Sequence, residues 1–213
     1  MIELRGVGLS IKDKELLSDV NIVAKDGSIT GLVGYNGSGK TLIMKCICGF
    51  IQDYTGEIFI DDMDIRKKSL ENYNMGIQIE TPSFISFYSG MKNLQMLAGF
   101  KELIGDKEIK ETMEKVGLDP NSKLTVAKYS LGMKQRLGIA QALMENPDIL
   151  ILDEPFNSLD YEVSQNLRDT LLDEKKKGKT IILTSHNPYD IDTLCDTKYM
   201  IRKGRIVEDR LIV

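Results

Sequence analysis

The sequence predicts an α/β fold built around a phosphate-binding loop, with an antiparallel β-subdomain and an inserted α-helical subdomain. Three observations carry that prediction. Gly34-Tyr35-Asn36-Gly37-Ser38-Gly39-Lys40-Thr41 fits G-x-x-x-x-G-K-[ST] and lies between an apolar run, Ser28–Val33, and a helical run, Leu42–Cys48, that ends at Gly49. Asp148–Leu152 is a second buried run, ending in the carboxylates Asp153 and Glu154. Between the two, residues 82–129 lose β-branched density and carry helical stretches instead.

Taken in order, residues 1–9 alternate apolar and polar as a half-buried strand does, and residues 18–25 form a second strand. A turn at Lys25-Asp26-Gly27 leads into the strand at 28–33. These connections are too short for parallel crossovers, so the opening is antiparallel. Glu57–Ile60 and residues 74–79 read as further strands, and helices are expected near 90–104 and 106–117, the second with Asp106 as its N-cap and Gly117 as its end. Helix Ser130–Glu145 places Met133, Leu137, Ala140 and Met144 on one apolar face and stops at Asn146-Pro147. A helix over 161–177 turns Val163, Leu167 and Leu171 inward and closes on Lys175-Lys176-Lys177-Gly178, cations followed by glycine, as a helix terminus does. Thr180–Thr184 is a buried strand, and a terminal hairpin turns near Lys203-Gly204. The expected organisation is one domain over 1–213, with the helical subdomain at about 82–145.

Composition narrows the function. Charged residues are 28% and hydrophobic ones 42%, the mixture of one folded domain with a real core. A formal net charge of −4 argues against nucleic acid as the main partner. Apolar runs such as Ile149–Leu152 are too short to span a bilayer, and Met1-Ile2-Glu3-Leu4-Arg5 is strand-like without the form of a secretory signal. The expectation is a cytoplasmic protein that meets the membrane only through a partner. Cys46, Cys48 and Cys195 have no disulfide-framework spacing and read as small core residues.

The phosphate-binding loop explains its own residue types. Gly34, Gly37 and Gly39 let the backbone curl so that amides from Tyr35, Asn36 and Ser38 onward turn inward, and the following helix adds its positive end. Lys40 reaches the β- and γ-phosphates, and the Thr41 hydroxyl ligates Mg²⁺. Beside such a loop, Asp153 would hold Mg²⁺ and Glu154 would orient or deprotonate an attacking water, the alternative being a solvated pair at a strand end.

Further motifs follow in order. Tyr129-Ser130-Leu131-Gly132-Met133-Lys134-Gln135-Arg136 opens a helix, Asn157-Ser158-Leu159-Asp160 follows the two carboxylates, and His186, the sole histidine, follows the strand 180–184. With these the chain resembles, over essentially its whole length, the ATP-binding subunit of ABC transporters. The resemblance implies the ABC ATPase fold, with a RecA-like P-loop NTPase core. It implies ATP and Mg²⁺ as ligands, Lys40, Glu154 and His186 as catalytic residues, and Thr41 and Asp153 as metal ligands. It further implies that Ser130 and Gly132 complete the site of a second protomer, that Asp160 communicates across that interface, and that a separate membrane-spanning permease subunit is the partner.

The chain departs from the family pattern in places. Most members carry glutamine before the helical subdomain. Here the stretch is Gly76-Ile77-Gln78-Ile79-Glu80-Thr81-Pro82, and alignment on Gly76 and Pro82 puts Glu80 at that position as a nucleotide-site and metal-binding residue. Gln78, two residues earlier on the same strand face, is the alternative. The Glu-x-Pro context and the Ser-Leu-Gly-Met-Lys-Gln-Arg signature resemble the subgroup of bacitracin- and lantibiotic-type peptide resistance exporters. Ile11 stands where members usually carry an adenine-stacking aromatic, and Leu131 where many have a second glycine. The run Pro82–Phe100 holds Phe84, Phe87, Tyr88, Met91, Met96 and Phe100, either as subdomain core or as a groove for a helix of the membrane subunit. The implied function is ATP hydrolysis driving peptide export. The alternatives are export of another substrate, a non-transport ABC ATPase acting on ribosome or DNA, and a non-hydrolysing nucleotide sensor. The chain is expected to carry no C-terminal regulatory domain.

Overall fold

The computed structural model describes residues 1–67, 73–81 and 83–211, the last four of these as backbone. Among the described residues, two sheets and six α-helices form in the order β1 (Ile2–Ile11), β2 (Lys14–Ala24), β3 (Ile29–Val33), α1 (Lys40–Ile47), β4 (Thr55–Ile60), β5 (Met63–Asp64), β6 (Met75–Gln78), α2 (Gly90–Ala98), α3 (Asp106–Lys115), α4 (Leu131–Leu143), β7 (Ile149–Leu152), α5 (Tyr161–Lys176), β8 (Thr180–Thr184), α6 (Pro188–Leu194), β9 (Thr197–Arg202) and β10 (Arg205–Leu211). One sheet is antiparallel, in the order β2-β1-β4-β5, and the other runs β10-β9-β3-β8-β7-β6. In the second sheet β9, β3, β8, β7 and β6 are parallel, and β10 is antiparallel to β9.

In β1 the alternation slips phase once. Ile2 and Leu4 are buried, then Val7 and Leu9, with register shifts between them where β1 bulges against β2. The bulge keeps both apolar pairs on the core side. β2 begins at Lys14, earlier than residue 18, because Lys14 and Glu15 pair with Ile11 and Ser10 at the exposed end of the hairpin. β3, β7 and β8 read as continuous apolar runs because both faces are covered, as a parallel sheet requires.

The helices between β6 and β7 also depart from expectation. α2 stops at Ala98, short of residue 104, with Gly99 as its C-cap. The N-cap of α3 is Gly105 rather than Asp106, and the Glu108 carboxylate accepts from the Gly105 amide at 3.0 Å. Asp106 is the first helical residue, beside the positive end of the helix. Phe84 and Met91 pack against the core, as the first of the two readings has it, and Phe87, Met96 and Phe100 are exposed. Pro82 lies outside the described residues. Cys46, Cys48 and Cys195 are buried free thiols, pushed up by burial to about 11, 12 and 12. No helix among the described residues is long and apolar enough to cross a membrane.

A buried carboxylate ties α3 to α5. Burial would raise the Glu174 carboxyl, but bonds from Lys179 at 2.7 Å, Lys177 at 2.9 Å and Lys115 at 3.2 Å outweigh it and hold the group at about 2. A depressed folded-state value stabilises the fold above the ordinary carboxylate range, and that gain, on the order of 3 kcal/mol, is lost as pH falls from about 4.5 toward 2. Urea melts at pH 5 and pH 3 should show this loss in the native chain and a flatter acid limb in Glu174→Gln.

Candidate functional site

The strand order of the larger sheet assembles the site. β3, β8, β7 and β6 are adjacent and parallel, so their carboxyl ends open on one edge. The phosphate-binding loop leaves β3, His186 follows β8, Asp153 and Glu154 follow β7, and Glu80 follows β6. A cleft of about 520 Å³ lies at that edge, with Asn36 through Leu42, Glu80, Asp153 and Glu154 among its walls.

The loop is shaped for an anion. Gly39 is the N-cap of α1 at φ 115°, where an added Cβ would lie 2.8 Å from the Leu17 side chain. It offers no capping side chain, and no acidic residue occupies the first turn. The first amides of α1 therefore lack the usual partners. Lys40 is nearly buried and folds back on the loop, donating to the Gly34 carbonyl at 2.7 Å and the Tyr35 carbonyl at 3.4 Å. Ser38 is buried, and Tyr35 is 88% exposed and off the cleft wall.

Thr41 Oγ1 donates to Asp153 Oδ2 at 2.7 Å. A hydroxyl and a carboxylate thus stand side by side at the cleft, the hard oxygen donors that Mg²⁺ takes. Thr184, fully buried, donates its hydroxyl to Asp153 Oδ1 and accepts from the Glu154 amide, both at 2.7 Å. Glu154 sits at φ 49°, a strained turn for a residue with a side chain. Its Oε2 accepts from the His186 amide at 3.2 Å and pairs with His186 Nδ1 at 2.9 Å. Its Oε1 is buried without a hydrogen bond among the described residues, 3.9 Å from Lys40 Nζ. The Glu154 carboxylate is therefore held through one oxygen, and the other keeps unused acceptor capacity.

Glu80, at φ 59°, lines the cleft and is ion-paired to Lys45 of α1 at 2.6 Å. Gln78 is the last residue of β6 and is buried, its amide nitrogen near the Glu80 carbonyl at 3.4 Å. The structure thus brings Glu80 to the cleft and keeps Gln78 behind it. The shared-face argument fails here because the strand ends at Gln78 and the chain bends at Glu80. Ile11 ends β1 and is exposed.

Ser130 is the N-cap of α4 and accepts from the Met133 amide at 3.2 Å. Ser130 and Gly132 are off the cleft wall, although Leu131, Lys134 and Gln135 are on it. An added Cβ on Gly132 would lie 2.6 Å from the Ser158 carbonyl, so the segment after β7 rests directly on this glycine. Asp160 caps α5 through the Val163 amide at 2.9 Å. Sequence reasoning gave no role to Thr184 or to Gln135, which donates to the Glu154 carbonyl at 3.0 Å. Both lie inside quoted segments, but only the folded chain shows which polar group in each turns toward Asp153 and Glu154.

The family described as ABC transporter matches residues 17–157. The uncharacterized ABC transporter ATP-binding protein YybJ of Bacillus subtilis (strain 168) is 38% identical over 100% of this chain and 98% of its own length. The lantibiotic transport ATP-binding protein SrtF of Streptococcus pyogenes is 33% identical over 99% of this chain and 90% of its own. The ATP-binding cassette MJ0796, solved as a dimer in a post-hydrolysis state bound to ADP and Pi, superposes with a TM-score of 0.90 at 20% identity, covering 100% of this chain and 99% of that one. The last likeness is one of fold.

Proposed function

This chain belongs to the ABC transporter family, and on that premise we propose that it is the ATP-hydrolysing subunit of a peptide-antibiotic exporter, working as a dimer beneath a separate membrane-spanning partner. Family membership makes it an ATP-binding subunit and an ATPase. The observation that carries the mechanism is the pairing of Glu154 with His186 at 2.9 Å beside Lys40 and the Thr41–Asp153 contact.

In this reading ATP lays its phosphates along the first-turn amides of α1, and Lys40 exchanges its loop carbonyls for phosphate oxygens. Thr41 and Asp153 would hold Mg²⁺, with Glu80 on the wall of the same cleft as a further candidate ligand, and the ion would offset charge on the phosphate oxygens. Water attacks the γ-phosphorus as the bond to the ADP oxygen breaks. Glu154 orients that water and accepts its proton through the free Oε1, while His186 fixes the carboxylate at Oε2. Ser130 and Gly132, which stay off the chain's own cleft, would close the nucleotide site of a second copy, and the helix end that Ser130 caps suits a phosphate.

A groove of about 470 Å³ supports the membrane partner. Phe50, Ile79, Leu97, Phe100 and Met144 are among its walls, and Phe50 and Phe100 are 62% and 84% exposed. An apolar groove next to Glu80 would let a docked helix of a permease subunit feel the nucleotide, and it would hold the chain at the inner face of the cell membrane. SrtF and the Glu-x-Pro context support a lantibiotic- or bacitracin-type peptide as cargo. Capture from native membranes with ATP-loaded Glu154→Gln chain should recover a multi-span membrane protein, and recovery of ribosomes or DNA instead would overturn the exporter reading. Glu80→Gln should keep basal ATPase activity but change its stimulation by that partner, and an unchanged coupled rate would remove Glu80 from the mechanism.

A further inference from the structure

We infer that Arg168 of α5 is a positioning residue for the ATPase centre, clamping the loop that carries His186 to the segment that follows Glu154. Arg168 is 4% exposed and touches neither the cleft nor the carboxylates that line it. Its Nε and Nη2 both donate to Asp190 Oδ1, at 2.9 and 2.5 Å, and Asp190 is 1% exposed. The other Asp190 oxygen accepts from Ser185 Oγ at 2.8 Å, and Ser185 Oγ in turn accepts from the Asn187 amide at 3.1 Å. Both neighbours of His186 are therefore tied, through Asp190, to one guanidinium. The same guanidinium lies over the rings of Tyr189 and Phe156, at 4.9 and 5.3 Å from their centroids. Phe156 stands two residues after Glu154. One planar cation thus joins, through side chains, the segment after Glu154 and the loop around His186.

A surface helix such as α5 could bury leucines alone and fold as well. Buried ion pairs contribute little net stability over apolar packing of the same volume. What the pair adds is geometry. A rigid fork with flat faces fixes two loops at once, which neither lysine nor an apolar side chain does. Because His186 is 68% exposed, its own packing does not hold it in place, and the clamp supplies the missing constraint.

The inference rests on Glu154 and His186 acting as proposed above, so the test carries a readout independent of turnover. The double variant Arg168→Met with Asp190→Asn removes both charges and leaves no buried unpaired ion, so it is the variant chosen to remain folded. Arg168→Lys keeps the charge and loses the fork. In the full chain, kcat for ATP hydrolysis should fall roughly tenfold or more in the double variant, with KM for ATP within about twofold of the native value. Arg168→Lys should recover only part of the loss. His186 is the sole histidine, so its imidazole NMR resonances report the loop without assignment by mutation. They should shift in the double variant without nucleotide. Native kcat together with unshifted imidazole resonances would overturn the inference. If the native chain itself hydrolyses no ATP, the functional reading fails, and the imidazole spectrum still decides whether the clamp holds His186.

Discussion

Replacing Glu154 by glutamine is expected to lower kcat for ATP hydrolysis by about 10²- to 10⁴-fold, some 3–5 kcal/mol on the barrier, while ATP still binds. Glutamine keeps the length and planarity of the side chain. Its amide oxygen can still accept from His186, whose amide and Nδ1 now lie 3.2 and 2.9 Å from Oε2. It cannot take a proton from water at the position of Oε1, the oxygen left without a hydrogen bond in the cleft. Removing a negative charge 3.9 Å from Lys40 also frees that cation for phosphate, so ATP affinity should hold or rise. The ATP-loaded dimer should then accumulate, visible as a doubling of mass in light scattering with ATP and Mg²⁺. Turnover at the native rate would show that Glu154 is not the proton acceptor. A second change at His186 should add less than its separate effect, because the two side chains act as one unit.

The parallel core was legible because it writes strong local signals. Apolar runs ending in Gly34 and in Asp153-Glu154 mark strands that deliver loops to one edge, and the helix start at Ser130 was equally readable, whereas the capping role of Asp160 appears only in the folded chain. Polar connections were not legible. Thr184 reads as one more residue of a buried strand, and its bridge between Asp153 and Glu154 exists only because β7 and β8 pair. Helix α6 was given no element in the sequence reading although Asn187-Pro188 is a helix-start signal. Sequence alignment favoured Glu80 and left Gln78 open, because strand periodicity cannot say where a strand stops. The positive φ of Glu80 places that stop. The run 82–100 was read either as core or as a groove, whereas the walls of the groove seen here also come from Phe50, β6 and α4, which no single run of sequence brings together.

Lys40→Met should abolish the stabilisation that nucleotide gives. Without ligand the Lys40 ammonium satisfies two carbonyls of its own loop, at 2.7 and 3.4 Å, and sits in a nearly closed environment. That arrangement is a stand-in: a cation already desolvated and held where phosphate charge will arrive loses little on exchanging neutral carbonyls for charged oxygens. Methionine keeps the aliphatic stem and its packing but has no donor, so the fold should survive and ATP affinity should drop on the order of 100-fold, about 3 kcal/mol. At ATP near 100 times its dissociation constant, the native chain should gain about 2.7 kcal/mol, a rise of roughly 5–10 °C in Tm for a domain of this size. The variant should show almost none at the same concentration. An equal rise in both proteins would mean that the loop amides alone bind the phosphates and that Lys40 acts later, on charge developing during hydrolysis. In that case KM would hold and kcat alone would fall. The Tm series and the KM–kcat split therefore separate a lysine that recruits ATP from one that stabilises only its cleavage.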